Sequence, residues 1–311
     1  MRGALTKWVA GWAAVAVGTA AAAAPPPLVS VEWLKAEAAR PGVVLLDLRP
    51  AAVYEAAHIP GAVGSDYSRD GWRVTNAAGV DSMLPETAVL EKKIGALGIG
   101  NAHHVVLVAV GRSAADIGVA TRVYWTFKVL GHDAVSILDG GMAAYTAARR
   151  PDKKTPLNPL EAGRHKPVPQ TFKARLRTRY LATTADVATA VAAGRPLLDA
   201  RPHDQYVGVN KSSKAKRHGT LPGARHLPGA WLTEDGGGRF RAPSELRQLL
   251  EYARVPSEGT PIAFCNSGHW ASVTWFVTSE LLGHEVRLYD GSMHEWTADA
   301  VRPVERKAPL K

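Results

Sequence analysis

Residues 261–270 read Pro261-Ile262-Ala263-Phe264-Cys265-Asn266-Ser267-Gly268-His269-Trp270. The first four form an apolar run of strand length. A helical pattern follows from Ala271, with Val273, Phe276, Val277 and Leu281 on one face. Cys265 thus stands at the carboxyl end of a buried strand, just ahead of a helix amino terminus, on the edge where open α/β sheets bind ligands. Unpaired backbone N–H groups and the helix dipole at such a turn favour thiolate over thiol and hold anions. Gly268 lets the backbone curl close to the sulfur without a Cβ clash. Taken alone, the pattern fits a reactive thiolate and equally a buried, inert cysteine.

Outward from this loop, the chain repeats itself. Val43-Val-Leu-Leu-Asp47-Leu-Arg49 is answered by Arg195-Pro-Leu-Leu-Asp199-Ala-Arg201, and His58-Ile-Pro-Gly-Ala62 by Thr220-Leu-Pro-Gly-Ala224. Leu130-Gly-His132 is followed by Val135–Gly140, and Leu282-Gly-His284 by Val286–Gly291. The period, near half the chain, indicates a duplicated domain rather than a solenoid. Strands are expected at 43–48, 104–109, 135–138, 196–199, 261–264 and 286–289. Helices are expected at 30–39, 86–97, 114–130, 183–193, 243–253 and 271–282. This alternation predicts an α/β fold of two tandem domains, each a mainly parallel sheet flanked by helices on both faces. The expected boundaries are 28–150 and 171–305, joined by a proline- and lysine-rich linker at 151–170.

At 311 residues, with 46% hydrophobic and 21% charged content, the chain suits two folded domains. Its net charge of +10 suits nucleic acid, an acidic membrane face or small anions. No zinc-finger spacing or aromatic-basic motif supports nucleic acid, which leaves small anions. Arg2 and Lys7 precede the apolar stretch Trp8 to Ala20 and alanines up to Ala24, which reads as a signal peptide over 1–24. A periplasmic or secreted protein without stable membrane insertion is expected, with an uncleaved anchor as the alternative. Cys265 is the single cysteine, so no internal disulfide forms. No metal or cofactor is expected. His103 and His104 start a strand and point to opposite faces, and no phosphate-cradling glycine loop follows a strand.

The chain resembles the tandem-domain rhodanese family of thiosulfate and 3-mercaptopyruvate sulfurtransferases. Tyr54-Glu-Ala-Ala-His58-Ile-Pro-Gly-Ala62 looks like its amino-terminal signature. Val286-Arg-Leu-Tyr-Asp-Gly-Ser-Met-His-Glu-Trp296 looks like its carboxyl-terminal one, with Met293 where an aromatic is usual. The resemblance implies that Cys265 takes sulfur from a donor anion such as thiosulfate as a persulfide and passes it to cyanide or a thiol. It implies that Asn266, Ser267, Gly268, His269 and Trp270 line the substrate site and that Arg201 binds the donor's anionic group. The first domain, whose corresponding loop is read as Val110–Ser113, is then catalytically silent. Ser267 matches the mercaptopyruvate branch, whereas Asn266 matches neither branch. His269 is read as an anion-binding charge or a loop hydrogen bond, and Trp270 as a pocket wall or a stacking residue. His58 is read as a loop-fixing residue. The run 211–217, with four basic residues, is read as a solvated insertion or a steering patch. A monomer is expected. The alternatives are a 3-mercaptopyruvate sulfurtransferase and a persulfide carrier serving a protein partner. A cysteine phosphatase needs an arginine six residues after the nucleophile, where Ala271 stands.

Overall fold

The computed structural model describes residues 24–256 and 258–310. The expected signal peptide lies, except for Ala24, outside the described residues. Each half builds one five-stranded parallel sheet. In the first half β1 (Leu28–Val29), β2 (Val43–Asp47), β3 (Val63–Gly64), β4 (His104–Val108) and β5 (Val135–Leu138) lie in the order β1-β5-β4-β2-β3. In the second, β6 (Leu181–Ala182), β7 (Leu197–Asp199), β8 (Arg225–His226), β9 (Ile262–Phe264) and β10 (Arg287–Tyr289) lie in the order β6-β10-β9-β7-β8. The second order is the first with every strand replaced by its repeat, so the expected duplicated α/β class is borne out.

The first half carries helices α1 (Val31–Glu37), α2 (Ala51–Ala56), α3 (Thr87–Ala96), α4 (Ala114–Val129) and α5 (Gly141–Tyr145). The second carries α6 (Thr184–Ala192), α7 (His203–Tyr206), α8 (Pro243–Tyr252), α9 (His269–Trp275) and α10 (Ser292–Ala298). Local chemistry sets several of their starts. Ser113 accepts from the Asp116 N–H at the start of α4, and Thr183 and Asp186 form a capping box at α6. Helix α9 begins two residues earlier than expected and continues as a π-helical segment over Phe276–Leu281.

The halves share one core. A single cluster of buried side chains runs from Leu46, Val105 and Trp125 of the first to Leu198, Ala263 and Trp275 of the second. Helices α4 and α9 make the seam. Thr121 Oγ1 lies 2.8 Å from Ser272 Oγ, and the Tyr124 ring meets Phe276 edge-on at 4.9 Å. The segment expected as linker packs on the first half, where Glu161 pairs with His58. Phe172 then lies against Phe127, and the N–H groups of Arg175 and Arg177 donate to Leu130 and Val129. Among the described residues, no helix is long and apolar enough to cross a membrane.

Candidate active site

Cys265 follows β9 directly and is 1% exposed. Its loop is pinned from below by the start of α10. The Cys265 and Asn266 carbonyls accept the N–H groups of Met293 and His294, each at 3.0 Å. The Cys265 and Gly268 N–H groups both donate to Ser292 Oγ, at 3.0 and 3.2 Å, and that hydroxyl donates to the Tyr289 carbonyl at 2.8 Å. Ser292 holds φ at 50°, a left-handed conformation costing a non-glycine residue about 1 kcal/mol. Its three hydrogen bonds offset that strain. Gly268, at φ 73°, stands at the N-cap of α9 and offers no capping side chain. Among the described residues, the N–H groups of Asn266, Ser267, His269 and Trp270 meet no protein acceptor. The loop therefore carries open donors beside a thiol, an arrangement that receives an anion or a persulfide.

The first half reaches into this site, which local sequence patterns did not reveal. Arg122 of α4 is 0% exposed and lies 2.5 Å from Asp290 Oδ1, while Asp290 Oδ2 accepts the Leu84 N–H at 2.6 Å. A Cβ on Gly268 would collide with the Arg122 guanidinium, so that glycine is needed for close approach as well as for its positive φ. Burial opposes the Arg122 charge, but Asp290 beside it keeps the guanidinium protonated, with its pKa above the ordinary value. Tyr67 places its hydroxyl 3.1 Å from His269 Nδ1, and the Arg73 guanidinium lies over its ring at 4.5 Å. Burial raises the Tyr67 pKa.

The five loop residues named from sequence follow Cys265 directly, and their side chains go to distinct places. His269 Nε2 lies 2.9 Å from the Ala115 carbonyl, so Nε2 carries the proton and Nδ1 accepts from Tyr67. Burial lowers its pKa to about 4, against the pull of that hydrogen bond. His269 is a neutral tie between the halves at pH 7, not a cation. Asn266 and Ser267 are 8% and 7% exposed, and Asn266 Nδ2 donates to Gln205 of α7 at 2.9 Å. Trp270 walls an apolar cleft of about 330 Å³ together with Pro202, His226 and Trp231.

Arg201 requires a correction. It is 0% exposed, its Nε and Nη2 bond both oxygens of Asp199, and Nη2 also donates to the Gly219 carbonyl. The remaining nitrogen, Nη1, is sealed from solvent too. The side chain fixes the turn after β7 and is not presented to a donor anion. Arg49 repeats the arrangement in the first half, bonding Asp47 and the Ala57 carbonyl. His58 fixes its own loop through Tyr54 O at 2.8 Å. The basic insertion also has a structural place, because Lys214 bonds Asp81 and Ser82 and straps the loop before α3 to the second half.

The counterpart of Cys265 in the first half is Ala109, one residue before the loop read from sequence. Ala109 follows β4 and accepts from Met142 as Cys265 does from Met293.

The rhodanese-like domain family matches residues 30–148 and again 183–299. A protein of Saccharopolyspora erythraea named a putative thiosulfate sulfurtransferase is 29% identical over 288 residues, covering 89% of this chain and 95% of that protein. Human 3-mercaptopyruvate sulfurtransferase is 30% identical over 298 residues, covering 92% and 90%. The crystal structure of the Escherichia coli 3-mercaptopyruvate sulfotransferase SseA superposes with a TM-score of 0.72 at 25% identity, covering 86% and 99%.

Proposed function

Because the chain belongs to the rhodanese family, with a rhodanese-like domain in each half, we propose that it is a sulfurtransferase working through a persulfide on Cys265. The observation that carries this reading is the thiol set among open loop N–H groups at the carboxyl end of β9. In the first step the Cys265 thiolate attacks the outer sulfur of thiosulfate. The S–S bond of the donor breaks, its electron pair leaves with sulfite, and the new S–S bond makes the persulfide. In the second step cyanide or a thiol takes the terminal sulfur, and the Cys265 thiolate departs with the electron pair. The covalent intermediate splits one transfer into two easier displacements, and the open N–H groups of Asn266, Ser267, His269 and Trp270 support the reading as donors to its negative terminal sulfur.

Ser267 in the loop favours a second donor, 3-mercaptopyruvate. There a C–S bond breaks instead, and the enolate left behind takes a proton to give pyruvate. A carrier that hands its persulfide only to a protein partner is the third reading. The signal-like segment at 1–24 supports export, and the mature chain is expected to act as a monomer, since one chain supplies both sides of the site.

Intact-protein mass after thiosulfate and then cyanide tests the proposal. Wild type is expected to gain one sulfur and lose it to cyanide as thiocyanate, whereas Cys265→Ser gains none. A gain only with 3-mercaptopyruvate would move the donor and keep the persulfide. A gain that persists in cyanide would favour the carrier, and no gain with either donor would sink the enzyme reading.

A further inference from the structure

Arg122 is the least expected group near the sulfur. It comes from the middle of α4, in the half that has no cysteine, and its guanidinium reaches across the seam to Gly268 in the Cys265 loop. Burying a guanidinium is costly unless its donors are all paired. Here Nε and Nη1 make no aligned hydrogen bond, and Nη2 makes only a long one to the Ser82 carbonyl at 3.4 Å. The ion pair with Asp290 is therefore close but off-line, and the carboxylate is shared with the Leu84 N–H. The guanidinium face stacks on Trp125 at 4.5 Å, which prevents it from turning away. Among the described residues of the first half, the charge meets only that long bond to Ser82 and the Trp125 ring. What lies against it is the loop that carries the sulfur.

We infer that Arg122 is a positioning residue of the second-half site: the silent half lends its neighbour a fixed cation that holds Gly268 against Asp290 and gives the Cys265 loop a positive potential. This deepens the sulfurtransferase reading and rests on it only for its purpose, since the potential exists whether or not sulfur is transferred. The other charged or ionisable groups around Arg122 and this loop are Asp290, Tyr67, Arg73 and His269. His269 is neutral and Asp290 opposes the effect, which leaves Arg122 and Arg73 as sources.

The test compares alkylation of Cys265 by iodoacetate, an anion, and by iodoacetamide, its neutral analogue, at one pH and low salt in the folded full chain. The ratio of the two rates reads the local potential, because a loosened loop accelerates both reagents together. Arg122→Met is expected to lower the ratio about three- to tenfold, the size of one nearby charge partly offset by its partner. Arg122→Lys is expected to keep most of it. An unchanged ratio in a cooperatively folded Arg122→Met would overturn the inference. Should that variant not fold, Asp290→Asn is expected to raise the ratio, and no rise would overturn it equally. Folded wild type that neither reagent labels would overturn both this inference and the function. A lowered ratio in a protein that never takes up sulfur would leave the inference standing and remove the function. An unchanged ratio in one that does take it up would do the reverse.

Discussion

The loop after β9 and the loop after β4 occupy the same place in two copies of one fold, yet only the first carries a thiol and only the second turns a carboxylate onto its own backbone. In the first half Ser113 Oγ accepts the Asp116 N–H, and the Asp116 carboxylate accepts the Arg112 N–H. Among the described residues, the N–H groups of Val110, Gly111 and Ser113 meet no protein acceptor, so open donors alone do not set the two loops apart. In the second half Gly268 stands at the N-cap without a side chain, and the donors stay free. Beneath the loop the contrast reverses. Ser292 supplies a hydroxyl to two N–H groups of the Cys265 loop, whereas Gly141, equally left-handed at φ 53°, supplies none. A Cβ at Gly141 would collide with the Ala109 carbonyl. Beyond the missing thiol, the first-half loop thus differs in the Asp116 carboxylate turned onto it and in the missing supporting hydroxyl.

A cysteine transplant is the strongest way to break this comparison. Ala109→Cys combined with Cys265→Ser is expected to stay at least about 10³-fold below wild type in sulfur transfer, since its loop carries the Asp116 carboxylate and lacks the supporting hydroxyl. Thiocyanate release measures it, and near-wild-type turnover would show that the thiol alone separates the halves.

The tie between the halves offers a smaller effect. His269 has its pKa lowered to about 4 in the folded chain, against about 6.5 for an unfolded histidine. The folded state then binds fewer protons in that interval, so stability from this group is full above pH 6.5 and is lost as pH falls toward 4. For a partly exposed ring the loss is expected to be about 2 kcal/mol after screening. Urea unfolding of wild type and His269→Gln between pH 7 and 4 checks it, and equal pH slopes would refute it.

The smallest effect on stability sharpens the contrast beneath the loops. Ser292→Gly makes the second half like the first at this position. Relief of the left-handed strain and loss of the hydroxyl oppose each other, so stability should change by no more than about 1 kcal/mol. Sulfur transfer should nonetheless fall about tenfold as the loop loosens, measured as the rate of persulfide formation.

The repeat and the apolar runs were enough to read the six central strands to within a residue or so of either end. Strands β1, β3, β6 and β8 were not legible, because two residues carry no periodicity. Helices α2, α5, α7 and α10 were missed because four to seven residues make at most two turns, too few to show a helical period. At the site, the spacing from Phe264 to Gly268 announced the cysteine loop. Arg201 was misread, although the corrective signal was present: the same acid-x-arginine recurs at Asp47 and Arg49 in the half without a cysteine, where substrate binding is not expected. Arg122 and Tyr67 carry no such signal. Arg122 meets the loop across roughly half the chain and Tyr67 across 202 residues, and nothing local in an apolar helix such as α4 marks one arginine as belonging to a distant turn.

The seam of α4 and α9 has a consequence for how the molecule is made. The first half leaves the ribosome with Thr121 and Tyr124 of α4 lacking the partners that Ser272, Trp275 and Phe276 later bring. At ordinary elongation rates that apolar strip waits roughly 10–30 s for the rest of the chain. Through that interval the newborn half is a sticky, incomplete object. The surface that will complete the site is first the one on which the nascent chain is most open to chaperones and to misassembly.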